Sequence, residues 1–355
     1  MEASDSGSIR EMFRSENKIR RNVDRNKNVC DKRNIDPKEE VDKLGRVLSQ
    51  EEIKTICENL KKKSSININD LALLKLSFIQ NCDNISLFFG IEGALSSLVT
   101  LLIGTNSIYQ IAAADCLCNL SLDISNLKGC IQIAKAAGIY LISYLQGLHY
   151  NLMNSCLLAL GNLAASDTQC WEILRSQGLL NSLLHLLKLR PPTVIENALY
   201  AIVQFLKVGL YHLGYEELQK LSAEIINEFF QNPSPNCCTA LYLISCSESC
   251  ESLLLEKNVV HHCLNIIEDC VVNADSVKSI TSLIRTIANI IPERSGTVVV
   301  YLTFHWTRLS KIVECLLNSS YSHFKPELAW LIGNILNHSS GKGLESNCYK
   351  LFSLF

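Results

Sequence analysis

Six positions recur along this 355-residue chain at nearly one spacing: Asn119, Asn162, Gln204, Cys246, Asn289 and Asn334, which step by 43, 42, 42, 43 and 45 residues. An amide side chain carries a donor and an acceptor together, so a row of amides can pair with the unpaired backbone groups of an extended peptide. Gln204 keeps that capacity, and the Cys246 thiol keeps a weak form of it. The residue four positions earlier lies on the same helical face. An aromatic ring there would build slots for the alkyl stem and cationic head of Lys or Arg. In this chain that position holds Asp115, Leu158, Tyr200, Tyr242, Arg285 and Trp330. Asp115 and Asp123 would draw a basic peptide by charge instead of by stacking, and Asp167 lies close to an equivalent place.

Each of these residues also has a purely structural reading. An Asn near a helix end can satisfy a turn, and a lone Trp at a helix contact can be core packing. The regular spacing supports the ligand reading for the set, and the pairing of Trp330 with Asn334 supports it for Trp330.

Catalysis has no candidate residues: there is no Ser/His/Asp or Cys/His arrangement, Gly-rich phosphate loop or His-Glu-x-x-His motif. Cys116 with Cys118, Cys237 with Cys238, and His261-His262-Cys263 offer donor atoms but no second pair at zinc spacing. No cofactor, metal or small-molecule substrate is expected. The sixteen cysteines sit singly among apolar residues, and no apolar signal peptide opens the chain, which points to reduced thiols inside a cell. A bilayer needs roughly 20 consecutive apolar residues. The best stretch here, residues 88–103, is broken by Glu92, so no membrane insertion is expected.

The elements that carry the amide row must be helices. With 48% hydrophobic, 19% charged and seven Pro residues, the chain can bury a large core from long helices. After Gly178, apolar residues at 179, 180, 183, 184, 186 and 187 trace one helical face. Pro191 and Pro192 stop that helix, and a second is predicted from about Val194 to Lys207. A small residue opens an apolar helix at Gly93-Ala94-Leu95, Gly138-Ile139-Tyr140, Gly178-Leu179-Leu180 and Asn258-Val259-Val260. Each repeat therefore reads as a short helix and two longer ones, unable to bury its apolar faces unless its neighbours stack on it. Residues 209–214 and the pair Pro233 and Pro235 mark irregular connections. Residues 70–80 read as a weaker first repeat that caps the stack, and residues 344–355 as the first helix of a further one.

The repeat length, the Gly-led second helix and endings such as Leu160-Gly161-Asn162-Leu163 and Ile332-Gly333-Asn334-Ile335 resemble armadillo repeats, most closely those of the importin-alpha type, over about residues 65–340. The resemblance implies an all-α, right-handed superhelical armadillo-type solenoid of about six to seven three-helix repeats over residues 46–355. Residues 1–45 are expected to form a basic, mostly disordered arm ahead of it. Within residues 10–33, nine Lys/Arg face four Asp/Glu, a net +5, whereas residues 34–355 carry a net −5. Phe13-Arg14-Ser15-Glu16-Asn17-Lys18-Ile19-Arg20-Arg21 and Asp31-Lys32-Arg33 are similar to the segment with which importin-alpha proteins bind importin-beta. Arg14, Lys18, Arg20, Arg21, Arg25, Lys32 and Arg33 are then the expected carrier contacts.

By the same resemblance, the groove would hold basic nuclear localisation signals at Asp115, Asn119, Asp123, Asn162, Tyr200, Gln204, Asn289, Trp330 and Asn334. The partners would be an importin-beta-like carrier and basic cargo proteins, in cytoplasm and nucleus. Only Trp330 keeps the family's aromatic reader, so a scaffold that no longer reads such signals stays open as a second expectation. RNA or acidic-lipid binding through the arm is a third, with Glu16, Asp24 and Asp31 interleaved against nucleic acid. The arm could also fold back onto its own acidic body.

Overall fold

The computed structural model describes residues 48–62, 66–123, 126–189, 191–273, 277–292, 295–319, 321–338, 340 and 351. The basic arm, with its expected carrier contacts at Arg14, Lys18, Arg20, Arg21, Arg25, Lys32 and Arg33, lies outside them. So does the expected further helix at residues 344–355, apart from Leu351, which is helical and buried.

Among the described residues the secondary structure is entirely helical, and the helices group into two compact units, residues 1–179 and 180–355. In the first unit, α1 (Gln50–Lys61), α2 (Ile68–Gln80), α3 (Cys82–Gly90), α4 (Ala94–Leu102), α5 (Ser107–Leu120), α6 (Leu127–Ser143), α7 (Tyr150–Ala164) and α8 (Thr168–Ser176) follow in order. The second unit holds α9 (Leu179–Leu189), α10 (Ile195–Gly209), α11 (Tyr215–Gln231), α12 (Pro235–Ser245), α13 (Glu251–Glu256), α14 (Val259–Asn273), α15 (Val277–Ile290), α16 (Thr297–Phe304), α17 (Trp306–Leu317) and α18 (Phe324–Asn337).

Helix boundaries follow local chemistry. Ser49 and Glu52 close a reciprocal capping box at the start of α1, and Asn67 and Asp70 do the same for α2. Ser234 caps α12, with Pro235 in the first turn, where its missing N–H costs nothing. Gly93, Gly178 and Asn258 each take a left-handed φ (80°, 94° and 52°) just before α4, α9 and α14. The predicted small-residue landmark is thus a backbone requirement, which Asn meets where Gly is absent.

The last helix of each repeat forms the inner layer. In the first unit α5 lies between α2 and α7; in the second α12 lies between α10 and α15, and α15 also packs on α18. Such helices are enclosed on two sides, so their apolar residues run almost all the way round. In α5, Ala113, Ala114, Cys116, Leu117, Cys118 and Leu120 are fully buried. The small side chains among them let neighbouring helices approach closely.

The structure corrects two of the element predictions. Gly138 opens no helix: it lies inside the continuous α6, without a positive φ. The two outer helices of that repeat are one, as they are in α11, which has no Gly or Pro between Tyr215 and Gln231 to break it. What Gly138 supplies is space, because a Cβ there would stand 2.3 Å from Oε1 of Gln177 and 3.0 Å from Cδ2 of Leu174. Gly138→Val is therefore expected to lower stability by about 1–3 kcal/mol through overpacking and loss of the 3.2 Å bond from Gln177 Nε2 to the Ala134 carbonyl. Urea unfolding checks this, and an unchanged midpoint would contradict the packing assignment.

Among the described residues no helix is long and apolar enough to cross a membrane. The apolar stretch around Glu92 is split between α3 and α4, bent by 97°, and Ile85, Phe88, Leu98 and Leu102 are buried in the stack.

Candidate functional site

The amide row divides into residues that are closed off and residues that remain open. Asn119 on α5 and Asn162 on α7 are fully buried. The Asn119 side chain donates to the Lys75 carbonyl of α2 at 2.8 Å, and the Asn162 side chain to the Cys118 carbonyl of α5 at 3.2 Å. In the second unit, Asn334 donates to the Ala288 carbonyl at 2.8 Å and Asn289 to Ser245 Oγ at 2.9 Å. Each amide therefore binds the preceding inner helix beside that helix's own ladder position.

The physical cause lies in helix termini. The last four carbonyls of a helix lack intrahelical partners, and those of Cys118 in α5 and Ala288 in α15 are among them. Asn supplies the missing donor from one repeat away, which links neighbouring repeats by about 1 kcal/mol per bond. Asn162 and Asn334 thus meet helix-end carbonyls, whereas Asn119 meets the Lys75 carbonyl inside α2 and Asn289 a Ser hydroxyl, and in the first unit no exposed amide is left at Asn119 or Asn162.

The positions four residues earlier show the same division. Leu158 on α7 is buried, as are Tyr200 and Gln204 on α10, at 2% and 6% exposure. Asp115 is one-quarter exposed, forms a 3.2 Å ion pair with Lys75 and accepts a 2.5 Å bond from Ser155 Oγ. A cation of the chain itself thus occupies the acid expected to attract a basic peptide. Asp123 lies half-buried in the connection after α5.

In the second unit the Arg285 guanidinium lies 5.5 Å from the Tyr242 ring centroid and binds Glu327 through two bonds, from Nε to Oε2 at 2.9 Å and from the terminal nitrogen to Oε1. Those bonds to Glu327 push the Arg285 pKa above its ordinary range, and burial raises the Tyr242 hydroxyl. Trp330 is 42% exposed, so it is a surface ring and not core. Asn289 and Asn334 are half-buried beside it in sequence register, on α15 and α18.

The partners Lys75, Ser155 and Glu327 escape a motif reading that follows ladder positions alone. A signal for them exists, because Lys75 and Ser155 each stand 40 residues from Asp115 and Glu327 stands 42 from Arg285, which is one repeat. Among the described residues no group of three His, Cys, Asp or Glu side chains gathers around a possible metal position.

Stacked multi-helix repeats with inner helices bridged through their ladder positions define an armadillo-type fold. No protein-family model matches the chain. Among solved structures it is similar to an engineered protein at TM-score 0.65 and 16% identity, over 81% of this chain and 69% of that one. It is similar to a designed armadillo repeat protein at TM-score 0.54 and 20% identity, over 68% and 99%. A further designed armadillo repeat protein, solved in complex with the peptide (KR)4, matches at TM-score 0.55 and 17% identity, over 68% and 99%. The chain thus has an armadillo-type fold.

Proposed function

We propose that this protein is an adaptor that acts by binding, holding an extended segment of a partner protein on the inner helices of its second unit. The observation that carries this reading is the partly exposed set of Tyr242, Asn289, Trp330 and Asn334 on α12, α15 and α18, where two half-buried amides stand one repeat apart and two aromatic rings two repeats apart. Closed amides at Asn119 and Asn162 argue against the early repeats as the reading site. A designed armadillo repeat protein of similar fold, solved with (KR)4, supports a peptide as the kind of ligand.

Nuclear import is the finer form of this reading. It is favoured by the net +5 of residues 10–33 and by the likeness of that arm to a carrier-binding segment. In this role Arg20, Arg21, Lys32 and Arg33 engage an importin-beta-like carrier, and the protein passes between cytoplasm and nucleus with basic cargo. Immobilised full-length chain is expected to capture importin-beta, and a chain lacking residues 1–45 to lose it. Capture that ignores the deletion, or no capture at all, would exclude the import role and leave the scaffold. Asn334→Ala with Trp330→Ala, read for loss of partner peptides on an array, tests the scaffold separately.

A further inference from the structure

In the first unit an inner helix is covered on one flank by the inner helix before it. For α5 and the turn after it, that flank holds Cys116, Asn119 and Leu122, all buried. Two of them bond back to α2: Cys116 Sγ donates to the Leu71 carbonyl at 3.4 Å, and the Asn119 amide to the Lys75 carbonyl. The same positions 43 residues earlier, in α2, are Leu73, Leu76 and Ile79. Among the described residues α2 packs on α1, α3 and α5, and no inner helix precedes it. Leu73, Leu76 and Ile79 are accordingly only half-buried, and Ile68 is 38% exposed.

The chemistry of this flank says what fits it. Leu76 stands where the row would place an amide, and it has no donor to offer the free carbonyls of a preceding helix end. An apolar surface suits it instead. The described chain begins beside it: Leu48, 7% exposed, lines a cavity of about 320 Å³ between α1 and α2, together with Ile56 and Leu73. Forty-seven residues precede Leu48, and residues 10–33 among them are dominated by charge. Residues 36–47 read differently. Asp36-Pro37 is a helix-start signal, Glu39 and Glu40 follow in the first turn, and Val41, Leu44 and Val47 recur every third residue. A helix of that length matches the 13 residues of α2.

We propose that residues 36–47 lie on this open flank of α2 as an intramolecular cap, with Val41, Leu44 and Val47 against Leu73, Leu76 and Ile79. The direct connection through Leu48 makes them the nearest apolar part of the preceding chain, and closing so short a loop costs little entropy. An open stack needs its end covered, and here the cover comes from outside the repeats. The cap also fixes where the basic residues 10–33 leave the body, at the amino end of the first unit.

The test is amide hydrogen exchange of the full chain, read by mass spectrometry on peptides from α2 and, for reference, from α10. Val41→Ser/Leu44→Ser is expected to speed exchange in α2 about tenfold and to leave α10 unchanged. Leu76→Ser is expected to speed it as well, and to add little when combined with Val41→Ser/Leu44→Ser, as residues in contact do. Ile9→Ser/Phe13→Ser, in the more distant arm, is expected to leave α2 within about twofold. Unchanged exchange of α2 in the Val41/Leu44 variant would overturn the cap, as would effects that multiply in full when Leu76→Ser is added. Faster exchange in the Ile9/Phe13 variant alone would give the flank to the distant arm, and protection of α2 that rises with protein concentration would give it to a second copy; either result overturns the assignment. Equal acceleration in α2 and α10 would make the loss global and overturn it too.

Discussion

Raising the pH from 9 toward 11 is expected to unfold this protein. Cys57 in the first unit and Cys238 in the second are fully or almost fully enclosed, and burial pushes each thiol up to about 12 from an ordinary value of 9.0. Burial also raises Cys116, Cys156, Cys237 and Cys263. The folded state therefore holds these protons more tightly than the unfolded chain does. Their stabilisation is fully present below pH 9 and is lost as pH climbs from 9 through the folded-state values. Each such thiol contributes a slope of about 1.4 kcal/mol per pH unit in that window. Four or more acting together would consume on the order of 10 kcal/mol within two units, as much as an ordinary domain has.

The measurement is the urea midpoint of the helical circular dichroism signal at half-unit steps from pH 7.5 to 10.5. It is expected to stay level to about pH 8.5 and then fall steeply, and Cys57→Ala/Cys238→Ala is expected to fall less steeply. Partly buried Tyr144, Tyr242 and Tyr301 are shifted upward as well, each by burial, and add to the fall at the upper end. A midpoint that stays level through pH 10.5 would refute the burial of these thiols as ionisable groups.

The second large effect is expected from Asn119→Ala/Asn162→Ala. Each substitution removes a fully buried donor and opens a cavity the size of an amide. The Lys75 carbonyl lies inside α2 and the Cys118 carbonyl keeps a 2.7 Å bond from Ser121 Oγ, so the loss in both variants comes from the vacated space and the lost bond and not from a stranded acceptor. Together the two are expected to lower unfolding free energy by about 2–5 kcal/mol. Because repeats stabilise one another through nearest-neighbour interfaces, the loss should also broaden the urea transition. Peptide affinity should hold in conditions where the variant remains folded. The opposite result, wild-type stability with peptide binding abolished, would make these amides ligand contacts and reverse the assignment.

The repeat was legible because stacking imposes a strict requirement on spacing. The predicted helix from about Val194 to Lys207 is observed as Ile195–Gly209, and Gly93, Gly178 and Asn258 do precede helices in left-handed conformation. Gly138 misled because glycine has two uses that look alike in one dimension: a positive φ and the absence of a Cβ. Which one applies depends on Gln177 and Leu174, about one repeat away. Trp330 could not be told from core packing by its type, and its 42% exposure decides the matter.

What one dimension settles here is the period. Residues 40 to 46 apart must meet, so a stack of repeats and the row of amides follow from spacing, with the apolar pattern making the repeats helical and the resemblance naming their type. What that row does is decided by its surroundings in three dimensions. The same Asn closes a helix end in α7, where it is enclosed, and stands half-open in α18, where the surface continues past it. Likewise, whether Asp115 or Glu327 offers its charge to a ligand depends on Lys75 and Arg285 of neighbouring repeats, which have reached them first. Charge pairing across repeats depends on side-chain reach and helix rotation, which a period leaves free.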